Sequence, residues 1–217
     1  MLILLVTASP SAGRVRRMTA PNCPPAKSRV VLADAEAELY VVKERLPYFP
    51  EPVPVVRGCA HGQKRSSLLG EAEEQTGGSG GGGSSGVQLA ALAGTVVAYA
   101  ESAVYGTGEH EAPQYLMVVR DLSTGRMLHK VNTGRFVKPE VVPFSVGPTT
   151  ALVVKSDGAV AWIVETGFPT IYQVYAIDKT GSRLLASGAD IVPYSLALAA
   201  NTLYWTQGGE PATASLD

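Results

Sequence analysis

One stretch of the chain is spelled like a catalytic or phosphate-binding loop. TGGSGGGGSSG, Thr76 to Gly86, holds a G-x-S-x-G around Ser79 and a G-x-G-x-x-G from Gly78. A nucleophile elbow needs a strand before it and a helix after it, and a phosphate loop needs a helix whose N-terminus meets the anion. Here the acidic run GEAEEQ (Gly70 to Gln75) precedes and a strand-like run follows, so the segment reads as a flexible linker. The histidines His61, His110 and His129 lack metal-ligand spacing. Only His110 has chemical neighbours, Glu109 and Glu111, whose carboxylates would favour its protonated form. A glycosidase-type acid pair would have to be drawn from separate loops, such as Glu109, Glu140 and Asp190. Asp121 and Asp178 stand at strand-to-turn junctions, where accepting backbone N–H bonds explains them. No D-x-D-x-D-G calcium loop occurs, and neither a metal nor a cofactor is expected.

Cys23 and Cys59 are the only cysteines. They form no CxxC and do not suggest zinc. In an exported chain they would pair, and closing that loop would be worth roughly 4 kcal/mol in the chain-entropy model. The bland alternative is two separate buried thiols.

The elements that would have to position these residues are strands. YLMVVRDLSTGRMLHKV, Tyr115 to Val131, is an apolar run, a tight polar turn and a second run. Paired runs of similar design begin at Arg29, Val87, Thr150 and Tyr194, with turns at Asp34 to Glu36, Ala93-Gly94, Ser156-Asp157-Gly158 and Ala200-Asn201. A second pair follows each, from Val53, Tyr115 and Tyr172, and in a shortened form as PATASLD at the C-terminus. Val41, Tyr99, Trp162 and Trp205 are aligned as equivalent positions on the second strands. Runs rich in Val, Ile, Leu, Tyr and Trp, bounded by Gly, Asp, Asn and Pro, are strands. They are apolar on successive residues, as in TVVAYA, so both faces must be covered. Four-stranded antiparallel sheets stacked face to face meet that demand.

VVRDLSTGRML is similar to the D-x-x-T-G-x turn of bacterial quinoprotein-like and surface-layer propeller repeats, and NTLYWTQGG is similar to a TolB-type or WD-repeat second strand. Over Arg29 to Asp217 the chain resembles uncharacterised exported β-propeller-like proteins of bacteria. It lacks the Trp-docking signature of quinoproteins and the Gly-His and Trp-Asp dipeptides of WD repeats, so the resemblance implies a fold and carries over no cofactor.

The expected fold is all-β: antiparallel four-stranded repeats forming a β-propeller-like array of about four blades, complete or short of a strand. A β-sandwich is the alternative. Units are expected over about 29–70, 87–133, 150–188 and 194–217, within a single domain spanning 21–217. Residues 1–20 are read as the remnant of an export signal or as a closing strand over Gly13 to Thr19. The short apolar start and the cysteines point to a secreted or envelope location. No run approaches the roughly 20 apolar residues of a membrane span.

With 46% hydrophobic residues, 17% charged and a net charge of -1, the chain can bury a core and has no basic field for nucleic acid. Strand order places the short turns at one end and the long loops at the other. Tyr48, Phe49, Tyr105, Glu109, His110, Glu111 and Phe168 are therefore the candidate binding surface. The expected function is non-catalytic binding of a protein or glycan. The alternatives are a hydrolase or lyase with acids in a central funnel, and an envelope component that oligomerises through an unpaired edge strand.

Overall fold

The computed structural model describes residues 23–25, 27–47, 49–72, 86–105, 112–134, 146–167 and 169–217, with the backbone alone at 103–105, 112–114 and 146. Among the described residues there are fifteen strands and no helix. The first unit contains β1 (Arg29–Ala33), β2 (Ala37–Glu44), β3 (Val53–Ala60) and β4 (Ser67–Ala72). The second contains β5 (Gly86–Ala93), β6 (Val96–Tyr105), β7 (Ala112–Asp121) and β8 (Met127–Asn132). The third contains β9 (Val146–Val154), β10 (Val160–Thr166), β11 (Ile171–Asp178) and β12 (Gly181–Gly188). The last contains β13 (Ala197–Ala199), β14 (Thr202–Gln207) and β15 (Glu210–Ser215).

Within each unit successive strands pair antiparallel as a meander, so every hairpin read in the sequence is present. The fourth unit has three strands and ends in β15, which carries the PATAS residues. The first two units are not separate sheets. A short parallel bridge, Glu71 to Gly86 and Ala72 to Val87, joins them into one eight-stranded sheet. Gly70 permits the approach, because a Cβ there would stand 3.1 Å from Val87 Cγ2.

The units stack through strands whose alternate residues serve different neighbours. On β6, Val97 and Tyr99 join Leu39, Val56 and Ala60 of the first unit, whereas Val96, Ala98 and Ala100 join Val160, Trp162 and Val164 of the third. On β10 and β11 the remaining faces, Ala161, Ile163, Val174 and Ala176, pack on Leu203, Trp205 and Leu216 of the fourth. This accounts for the unbroken apolar runs, since each fully buried Val, Leu or Ile contributes about 1.5–3 kcal/mol. Gly58 keeps the first interface close: a Cβ on it would lie 2.8 Å from Leu122 Cδ2 and 2.8 Å from Leu39 Cδ2. At the second interface Trp162 stacks on Tyr175 with ring centroids 5.5 Å apart and donates from Nε1 to the Thr133 carbonyl at 2.6 Å.

Facing corrects one alignment. Tyr99, Trp162 and Trp205 each look back at the preceding unit, but Val41 packs forward on the second. The equivalent face of β2 carries Tyr40 and Val42 instead, because in a strand a one-residue offset reverses the side.

Candidate functional site

The two ends of the strands are built differently. At one end lie the connections 34–36, 94–95, 155–159 and 200–201, together with 61–66, 122–126 and 179–180. At the other lie the strand ends that flank 45–52, 106–111, 167–170 and 208–209, and those that flank 73–85, 133–145 and 189–196 between units. The strand boundaries bear out the expected inequality only in part: the longest connections are links between units, but within units 61–66 is longer than 167–170 or 208–209.

Aspartates close the short-turn end. Asp121 Oδ1 accepts from the Ser123 backbone N–H at 2.9 Å, from the Ser123 hydroxyl at 2.7 Å and from the Thr95 hydroxyl at 3.1 Å; its Oδ2 accepts from the Thr124 hydroxyl at 2.7 Å. Asp178 repeats this with the Thr180 N–H at 2.9 Å and hydroxyl at 2.5 Å, and it also holds Arg183 and the Asp217 N–H. Asp34 takes the Glu36 N–H at 2.7 Å within its own turn and the Gly94 N–H at 2.7 Å from the next unit. Asp157 takes the Ala159 N–H at 3.0 Å and pairs with Lys155 at 3.3 Å.

Desolvation pushes the Asp121 carboxyl up, but the donors from Ser123, Thr124 and Thr95 together pull harder and hold it at about 2. Asp34 and Asp178 lie below the ordinary range by the same balance of burial against hydrogen bonds. The Ala159 N–H is the main cause for Asp157. All four shifts favour the carboxylate, the opposite of what a general acid at neutral pH requires. These groups serve the fold.

The long-loop end carries exposed apolar side chains. Phe49 is 36% exposed in 45–52, and Val192 and Tyr194 are 44% and 77% exposed in 189–196. The Phe49 N–H donates to the Leu46 carbonyl at 3.1 Å within its own turn, and the Ser195 hydroxyl takes the Thr206 N–H of β14 at 2.9 Å, which ties the second loop to its neighbour. Of the expected binding residues, Phe49 is described in full, and Tyr105 ends β6 with its backbone opposite Ala112. Tyr48, Glu109, His110, Glu111 and Phe168 lie outside the described residues. Asp190 accepts from Gln207 Nε2 at 3.3 Å, and Glu140 falls outside the described residues.

Tyr194 and Val192 were not singled out in the sequence. Their signal was available: Val-Pro-Tyr beside the opening of a hairpin, in an inter-unit link. His129 is half-buried on β8 beside a polar groove with Lys155, Asp157, Asp178 and Asp217. A second cleft lies between the first two units, where Val31, Leu39, Val56, Val87 and Leu89 form apolar walls and Arg29 contributes a cation.

Cys23 and Cys59 form a disulfide with Cα atoms 6.4 Å apart, in agreement with the pairing expected of an exported chain. Among the described residues no helix is long and apolar enough to cross a membrane. No family model matches the chain, and no curated protein matches it.

Proposed function

We propose that this chain is an exported, non-catalytic β-repeat domain of propeller-like design that binds a protein or glycan partner through its long-loop end. The observation that carries the proposal is the contrast between the ends. One is closed by aspartates bonded within and between units, whereas the other extends loops that present Phe49, Val192 and Tyr194 to solvent. Loops on a rigid scaffold are the usual site of recognition, and exposed aromatics are its usual anchors. The disulfide favours an oxidising compartment.

The test is binding of the full chain to arrayed glycans and to extracellular proteins from its own host. Phe49→Ala with Tyr194→Ala, and separately Tyr105→Ala with His110→Ala and Phe168→Ala, should each reduce binding at least tenfold with an unchanged thermal melt. Binding that survives both sets, or an array and protein set that yield no ligand, counts against the proposal.

One observation favours a second reading, an envelope component that self-associates. Among the described residues the fourth unit has three strands, and Tyr204 on its far face is 41% exposed. Addition of a strand from another copy along β15 would cover that edge. A concentration-independent monomer in sedimentation analysis would exclude it.

A further inference from the structure

The first sheet brings together groups that lie far apart in sequence. Glu38 and Cys59 are cross-strand partners on β2 and β3, and Cys23 is bonded to Cys59. The two sulfurs and a Glu38 carboxylate oxygen all lie within 4.8 Å of one another. His61, just past the end of β3, places Nε2 3.9 Å from Glu38 Oε1. Its Nδ1 is 3.1 Å from the Ala35 carbonyl oxygen. A carbonyl can only accept, so Nδ1 donates to it, and Nε2 is the ring atom left facing the carboxylate. That is how metal-binding histidines are usually oriented, with the far nitrogen donating to a backbone oxygen. Glu38 is buried, and among the described residues His61 is its one ionic partner. A buried carboxylate beside two sulfurs, with an imidazole nitrogen at its edge, gathers four groups that can serve as metal ligands once the sulfurs are free.

We propose that Cys23, Cys59, Glu38 and His61 form a redox-gated site for a thiophilic divalent cation of the zinc class, closed while the disulfide stands and open once it is reduced. A dithiol supplies the electrons by exchange. Its two S–H groups become a disulfide, while the Cys23–Cys59 bond breaks and takes up two electrons and two protons. The cation then displaces the two thiol protons to solvent and is held by two thiolates, the Glu38 carboxylate and His61 Nε2. Zinc bonds of about 2.3 Å to sulfur and about 2.0–2.2 Å to nitrogen or oxygen require donor atoms roughly 3.3–3.8 Å apart, so on reduction the two sulfurs must separate from bonding distance while the Glu38 oxygen, within 4.8 Å of both, and His61 Nε2, 3.9 Å from Glu38 Oε1, close in on them. Sequence spacing conceals the site, because strand pairing rather than a CxxC motif assembles it.

Cobalt(II) is the probe. The full chain is reduced with a dithiol, freed of it without oxygen, and titrated with Co2+. The expected result is one equivalent bound with a thiolate-to-cobalt absorption band, displaced by Zn2+, and no band from the oxidised chain. Glu38→Gln and His61→Ala should each weaken binding by about 10–100-fold, and Cys23→Ser should abolish the band. Added Zn2+ should also restore part of the thermal stability lost on reduction, a readout that does not depend on colour. The proposal is overturned if the reduced chain gives no band. It is equally overturned if Glu38→Gln and His61→Ala bind as tightly as the parent, since the thiols alone would then account for the metal. His61 is largely exposed at the end of a strand, so its variant folds and keeps the test decisive.

Discussion

Asp121 illustrates what a single turn carboxylate contributes. Its folded pKa of about 2 lies below the ordinary 3.8, so the ionised form stabilises the fold. That stability is fully present above pH ~4 and is lost as pH falls toward about 2, an effect of about 1–2 kcal/mol after allowance for solvent screening. Urea melts between pH 5 and pH 2 should show this decline, and Asp121→Asn should flatten it; a parallel pH profile for the variant would contradict the assignment. The two tryptophans make a second contrast. Trp162 Nε1 donates to Thr133, whereas Trp205 Nε1 is buried with no partner among the described residues. Trp162→Phe should therefore cost about 1–2 kcal/mol more than Trp205→Phe, since only the first leaves a buried carbonyl unpaired. Equal losses in denaturant titrations would show that the hydrogen bond contributes nothing net. The roles of Asp121 and Asp178 were legible in the sequence because an Asx turn is local: the acceptor and its donors lie within two or three residues.

At the scale of elements, close packing between units sets the tolerances. Gly58 sits under Leu122, and Gly58→Ala should destabilise by about 1–3 kcal/mol through overpacking, with partial relief when Leu122→Ala is added. A double-mutant cycle with no coupling would place the strain elsewhere. The hairpins were legible because apolar runs and Gly or Asp turns are short-range signals. The facing of β2 was not, since the side of a strand depends on the length of the turn before it, and Asp34 to Glu36 differs from Gly94-Thr95. The bridge from β4 to β5 was also hidden, because a parallel contact across 73–85 depends on where two sheets lie in space. The same reason kept Glu38 and His61 from being read as neighbours of the cysteines. Most of the proposed binding loops fall outside the described residues, leaving Phe49, with Val192 and Tyr194, as the part of that end whose side chains can be placed.

The whole molecule is a stack in which each inner sheet is covered on both sides. Ending the chain after Gly188 would bare Ala161, Ile163, Val174 and Ala176, which now meet the fourth unit. Such a chain should bind a hydrophobic dye and scatter light on warming; a quiet, monodisperse product would mean that the last three strands contribute little to the core. The all-β, antiparallel character was legible from composition and period alone, whereas the closure of four units into a ring remains part of the proposal because no closed sheet is present among the described residues. The divided allegiance of β6 has one more consequence. Inserting a single residue midway along it would exchange its two sets of contacts beyond that point, sending Tyr99 toward the wrong neighbour, whereas inserting two would preserve them. Descent in such a lineage is thus constrained by parity: odd-numbered insertions and deletions should be purged from strands and accumulate in the long connections, which are the parts free to acquire new specificity.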